Sequence, residues 1–160
     1  MNGDSFRPVG MTGPDSADAL IDFAEALGAV RLMRQTLEAV QSVTPPALYF
    51  KASPEDPMFG FPALLTTVAY ALARGIVDPD VLEGRLGFQP DLRYLCANRF
   101  PDATTIRAFL ELHGELVATV LYNSLAATET GGGGMGLTRI QYEVDRRLAM
   151  ATDPRLPLAA

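Results

Sequence analysis

A single cysteine, Cys96, rules out any disulfide within the chain. A single histidine, His113, removes every metal cluster built from several imidazoles. No stretch reaches the roughly 18–20 apolar residues that a membrane helix needs. The most apolar run, Phe61 to Ala73, is interrupted at once by Arg74 and Gly75. The opening residues, MNGDSFRPVGMTGPDS, lack the basic-then-apolar order of a secretory leader, so the cytoplasm is the expected compartment and no membrane partner is expected. Alternation of period two is missing as well, so no strand is predicted.

Positive charge is scarce. Thirteen Lys and Arg stand against 19 Asp and Glu, for a net charge of −6, and Lys51 is the sole lysine. Residues 1–60 carry four basic and eight acidic side chains, residues 61–125 five and seven, and residues 136–160 four and three. Neutralising phosphates dominates the affinity of most DNA-binding proteins, so this balance argues against avid, sequence-independent binding while leaving room for a local basic face.

Hydrophobic residues are plentiful at 48%, enough for one well-buried domain, and their spacing is helical. Residues 1–14, rich in Gly and Pro, read as a flexible tail. Asp15 or Ser16 caps a helix whose apolar positions are Leu20, Phe23, Leu27, Val30, Met33, Leu37 and Val40, and Thr44-Pro45-Pro46 ends this 15–44 segment. That stripe suits either packing on the chain's own core or a short dimerising helix. A connector with Phe50 and Phe59 as anchors leads to a helix from Pro62 to Arg74, stopped by Gly75. Asp78-Pro79 opens a further helix with Val81, Leu82 and Leu86 inward, and a short segment spans Pro90 to Ala97. Asp102 caps a long helix from Ala103 to about Ala126 that carries Ile106, Phe109, Leu112, His113, Leu116, Val120 and Leu121. Residues 45–127 form the central helical domain, and residues 128–136 a glycine-rich linker. The final 137–160 segment is a helix with Leu137, Ile140, Val144 and Leu148 on one side, then a tail with Pro154 and Pro157. The fold class is therefore all-α, with amphipathic helices at both ends.

Within residues 61–125 the runs FPALLTTVAYALARGI, DPDVLEGRL and LRYLCANRFPDATTIRAFLELH carry a pattern. It resembles the InsH-type N-terminal, DNA-binding domain of bacterial insertion-sequence transposases. Pro62 and Leu65 match the opening of that family's first core helix, with Tyr70 and Gly75 further along it. Leu82-Glu83 matches its second helix, and Leu92, Tyr94 and Leu95 its short aromatic segment. Pro101-Asp102, Thr105-Ile106, Phe109 and His113 match the segment that opens its recognition helix, and Pro-Asp-x-x-Thr-Ile is the most specific piece. The resemblance implies a helix-turn-helix-like unit on double-stranded DNA. Thr104, Thr105 and Arg107 would lie in the first turn of the recognition helix, with Arg99 just before it and Arg93 and Arg74 nearby.

With the chain ending at Ala160, the resemblance implies an end-binding module without the family's catalytic domain. Two departures bear on its DNA face. Asp78-Pro79-Asp80-Val81 stands where relatives carry Ser-Arg, and Leu110-Glu111-Leu112 where arginines commonly follow the Phe. Both remove positive charge and add acid.

No catalytic constellation is expected. Asp145, after the glycine run, precedes Arg146-Arg147 in a helical pattern and reads as a surface aspartate. Cys96 has no adjacent base, and His113 on an apolar face reads as a packed residue. The glycine run lacks the Lys-Ser/Thr of a phosphate loop. Neither metal nor cofactor is expected. The leading expectation is a stand-alone, transposase-derived helical DNA-binding protein, a truncated transposase or one adapted as a repressor or self-regulator that acts by occupying its site. The alternative is a protein-interaction or dimerisation module that keeps the fold without DNA binding, its partner a second copy or another protein met through the terminal helices.

Overall fold

In a computed structural model the described residues are 14–44, 60–129, 136–153 and 155, with side chains described from Glu25 onward. They are all-α. Six helices follow in order: α1 (Pro14–Val43), α2 (Phe61–Ala73), α3 (Pro79–Leu86), α4 (Pro90–Leu95), α5 (Ala103–Glu129) and α6 (Leu137–Thr152). No strand occurs among the described residues. The expected tail over residues 1–13, the anchors Phe50 and Phe59, the glycine run and the side chains of Leu20 and Phe23 lie outside the described residues.

The centre is α2, in which every residue except Pro62 and Ala63 is buried. Such a helix needs partners all round, and α1, α4 and α5 supply them. Burying Leu64, Leu65 and Leu72 is worth roughly 1.5–3 kcal/mol each. Its hydroxyl groups avoid isolation by bonding within the helix: Thr66 Oγ1 donates to Pro62 O and Thr67 Oγ1 to Ala63 O, both at 2.7 Å. At its C-terminus Gly75 adopts φ +80°, a left-handed conformation that glycine takes without steric cost. Gly75 N then donates to Leu72 O and Ile76 N to Ala71 O, both at 2.9 Å, which closes the paired bonds of a Schellman end.

The start signals in the sequence are realised. Asp78 Oδ1 accepts from Asp80 N at 2.9 Å and caps α3, with Pro79 in its first turn. Asp102 Oδ1 accepts from Thr105 N at 2.7 Å and caps α5. Helix α1 packs on α5 and α2 through its C-terminal half, where Thr36, Ala39 and Val40 are buried.

Four expectations need correction. The long helix is not continuous: His113 (φ −125°, ψ 19°) leaves helical geometry inside α5. It does so just before Gly114, a weak helix former, while its ring packs against Phe61 and Phe109 with centroids 5.0 and 4.9 Å away. Next, α5 runs on to Glu129 and takes in the first two residues assigned to the linker, helped by Thr128 Oγ1 donating to Leu125 O at 2.6 Å. The α1 stripe is split, with Val40 buried while Leu27 and Val30 are exposed. Finally, Val81, Tyr94, Leu112 and Leu137 lie on the surface, because helical spacing records that a position recurs on one face but not whether that face is covered.

Candidate functional site

The six residues expected to touch DNA lie at three joints of the fold. Arg74 ends α2, and its guanidinium pairs with Asp91 at the start of α4. It also lies 5.8 Å from the centre of the Tyr70 ring. The Tyr70 hydroxyl donates to the same Asp91 oxygen at 2.6 Å, and the other Asp91 oxygen accepts from Leu92 N at 2.9 Å. Burial, then the Asp91 carboxylate, pushes the Tyr70 hydroxyl up, so it stays a donor across the ordinary pH range. Arg74 is therefore committed to an internal network that fastens α4 to α2.

Arg107 pairs with Asp80 in the first turn of α3. Asp80 belongs to the Asp78-Pro79-Asp80 element, so an acid sits on a cation expected to meet DNA. Arg93 Nε donates to Asn98 Oδ1 at 3.3 Å in the turn after α4. Arg93, Arg99 and Thr104 are exposed along the stretch joining α4 to α5, while Thr105 is half-buried.

The start of α5 would be a natural anion site, since free amides and the helix dipole both favour negative charge. Two carboxylates already hold it. Besides the Asp102 cap, Glu83 Oε2 of α3 accepts from Ala103 N at 2.9 Å. The Thr105 amide, then its side chain, holds the Asp102 carboxyl below its ordinary range. A phosphate would have to displace both acids. Sequence spacing could identify Asp102 as a cap because it is local. Glu83 lies 20 residues away and becomes a cap only through packing.

Large apolar and aromatic side chains are exposed as well. Phe88 is 86% exposed and Tyr94 69%. Tyr94 is a ridge between two shallow grooves: one of about 310 Å³ with Phe88, Pro90 and Arg93, and one of about 280 Å³ with Leu37, Val40 and Leu95. A larger open groove of about 720 Å³ lies at the α5 break, lined among others by Glu111, Leu112, Glu115, Leu116 and Leu148.

Elsewhere, Cys96 is buried, its Sγ 3.6 Å from Arg93 O, and burial raises its thiol pKa. Asp145 is exposed and accepts from Gln141 Nε2 at 2.8 Å, an ordinary pairing one turn apart. Among the described residues no three His, Cys, Asp or Glu side chains gather to hold a metal, and no helix is long and apolar enough to cross a membrane.

The chain matches no protein-family model, curated protein or solved structure.

Proposed function

We propose that this chain is a non-catalytic helical docking module that binds protein through exposed apolar surface. The observation that carries this reading is the state of the face expected to bind DNA. Arg74 and Arg107 are engaged by Asp91 and Asp80, and the α5 N-terminus is closed by Asp102 and Glu83. Losing several phosphate contacts weakens DNA binding by orders of magnitude at physiological salt. Large apolar side chains are meanwhile left in water on α1, α4 and α5, and exposed apolar patches are where protein partners dock.

The second reading is a stand-alone DNA-binding module, in which a helix-turn-helix-like use of α4 and α5 presents Arg93, Arg99 and Thr104 to a duplex. The exposure of those three side chains along one joint favours it, and so does the resemblance of residues 61–125 to the transposase domain.

Fluorescence anisotropy of a labelled random duplex, titrated with folded protein at low salt, separates the two. The docking reading expects no binding at micromolar protein. Salt-sensitive micromolar binding that disappears in Arg93→Ala/Arg99→Ala would overturn it in favour of DNA.

A further inference from the structure

Resting on the docking-module reading, we propose that the partner is a second copy of this chain. The exposed stripe of α1 in one copy, Leu27, Val30, Arg31 and Arg34, seats against the groove around Leu112 in the other.

The stripe is a single face. Val30 follows Leu27 by three residues, Arg31 follows Leu27 by four and Arg34 follows Val30 by four, the spacings that align side chains on a helix. Leu27 is 54% and Val30 49% exposed, and both arginines are exposed. Thr36 lies nine residues after Leu27, half a turn round at 100° per residue, and is fully buried. Helix α1 therefore packs on its own α5 through the opposite side, and the Leu27 stripe faces away from the body. It cannot fold back onto its own groove.

The groove offers the matching chemistry. Leu112, 66% exposed, lines this groove together with half-buried Leu116 and Leu148 and exposed Glu111 and Glu115. Among the described residues, neither these two acids nor Arg31 and Arg34 have an ion-pair partner. Two leucine-like knobs with two cations on one side meet a leucine with two carboxylates on the other. In a chain of net charge −6, this pairing brings the cations of the stripe to acids that would otherwise repel a second copy. Because each copy carries both halves, a two-fold arrangement forms the contact twice, and opposite charges steer the approach.

The test is sedimentation velocity on the full chain over a concentration series at low and high salt, with circular dichroism as a check on folding. The expected result is a concentration-dependent dimer whose affinity falls about tenfold or more as salt screens the charges. Leu27→Asp, at an exposed position, should give a folded monomer. Glu111→Arg/Glu115→Arg should also give a monomer, and adding Arg31→Glu/Arg34→Glu to that variant should restore the dimer. A native chain that stays monomeric at every concentration overturns the proposal, as does association indifferent to Leu27→Asp and to the charge exchange. The duplex titration tells the two failures apart. A monomer that ignores DNA leaves docking to a different protein, whereas a monomer that binds DNA removes the docking reading too.

Discussion

Arg147 of α6 reaches Ala73, the last residue of α2, and its Nη1 donates to the Ala73 carbonyl at 2.6 Å. The same nitrogen lies 2.7 Å from Leu72 O, while Nε is held by Glu143 Oε1 at 2.6 Å. A charged side chain thus adds a donor at two carbonyls of the helix end, one of them (Leu72 O) already accepting from Gly75 N, complements the negative end of the dipole and ties α6 to the central helix. Arg147→Ala should destabilise the chain by about 2–3 kcal/mol, as expected for bonds to a charged donor. A urea midpoint shift with an unchanged slope would show it. A loss near zero would mean that the cap is dispensable.

Glu143 gives that joint a pH dependence. The Arg146 guanidinium, then that of Arg147, holds its carboxyl down at about 2, against an ordinary value of 4.5. Between those values the unfolded chain binds the proton and the folded chain does not, so stability rises with pH across this window. The contribution is fully present above pH 4.5 and is lost as pH falls towards 2. Glu143→Gln should flatten this acid limb in thermal melts taken from pH 5 to 2. An unchanged limb would assign the acid sensitivity to other carboxylates.

Asp80 tests what the Arg107 pair does. Both partners are substantially exposed, with side-chain exposures of 40% for Arg107 and 66% for Asp80. Such a pair contributes about 0–1 kcal/mol to stability. Asp80→Asn should therefore leave the melting temperature nearly unchanged while releasing Arg107. If acid near this face is what weakens phosphate contact, the variant will bind random duplex more tightly than the native chain at low salt. Equal affinity in anisotropy titrations would exonerate Asp80.

Local signals in the sequence carried most of the fold. Asp78 and Asp102 are legible as caps because each bonds an amide within three residues, and Gly75 as a helix stop because the left-handed turn needs only local geometry. The partners of the basic side chains were not legible. Arg74 finds Asp91 after 17 residues, Arg107 finds Asp80 after 27, and Arg147 finds Ala73 after 74. No periodicity encodes those distances, so a motif that nominates arginines for phosphate contact cannot reveal that a carboxylate already holds them. The break at His113 was hidden for a related reason, since apolar residues recur on both sides of it, Gly114 alone is a weak local signal, and the packing against Phe61 and Phe109 lies outside any local pattern.

The turn between α4 and α5 contains two residues that are not glycine in the left-handed region, Ala97 at φ 52° and Asn98 at φ 57°. Asparagine tolerates that conformation and here accepts from Arg93 Nε, whereas alanine has no such compensation. The turn is held from both ends: Ala97 N donates to Tyr94 O at 3.1 Å and Asn98 N to Arg93 O at 3.0 Å. Ala97 therefore cannot relax without breaking the connection that aims Arg93 and Arg99. A glycine removes the clash of Cβ with the following carbonyl, worth about 1–2 kcal/mol, but loses roughly 0.5–1 kcal/mol to the greater freedom of the unfolded chain. Ala97→Gly should thus stabilise the protein by about 0.5–1 kcal/mol, whereas Gly75→Ala, placing a side chain at φ +80°, should destabilise it by about 1 kcal/mol. Chemical denaturation of the two variants side by side checks both signs. A destabilised Ala97→Gly would mean that the methyl group contributes packing that outweighs the strain.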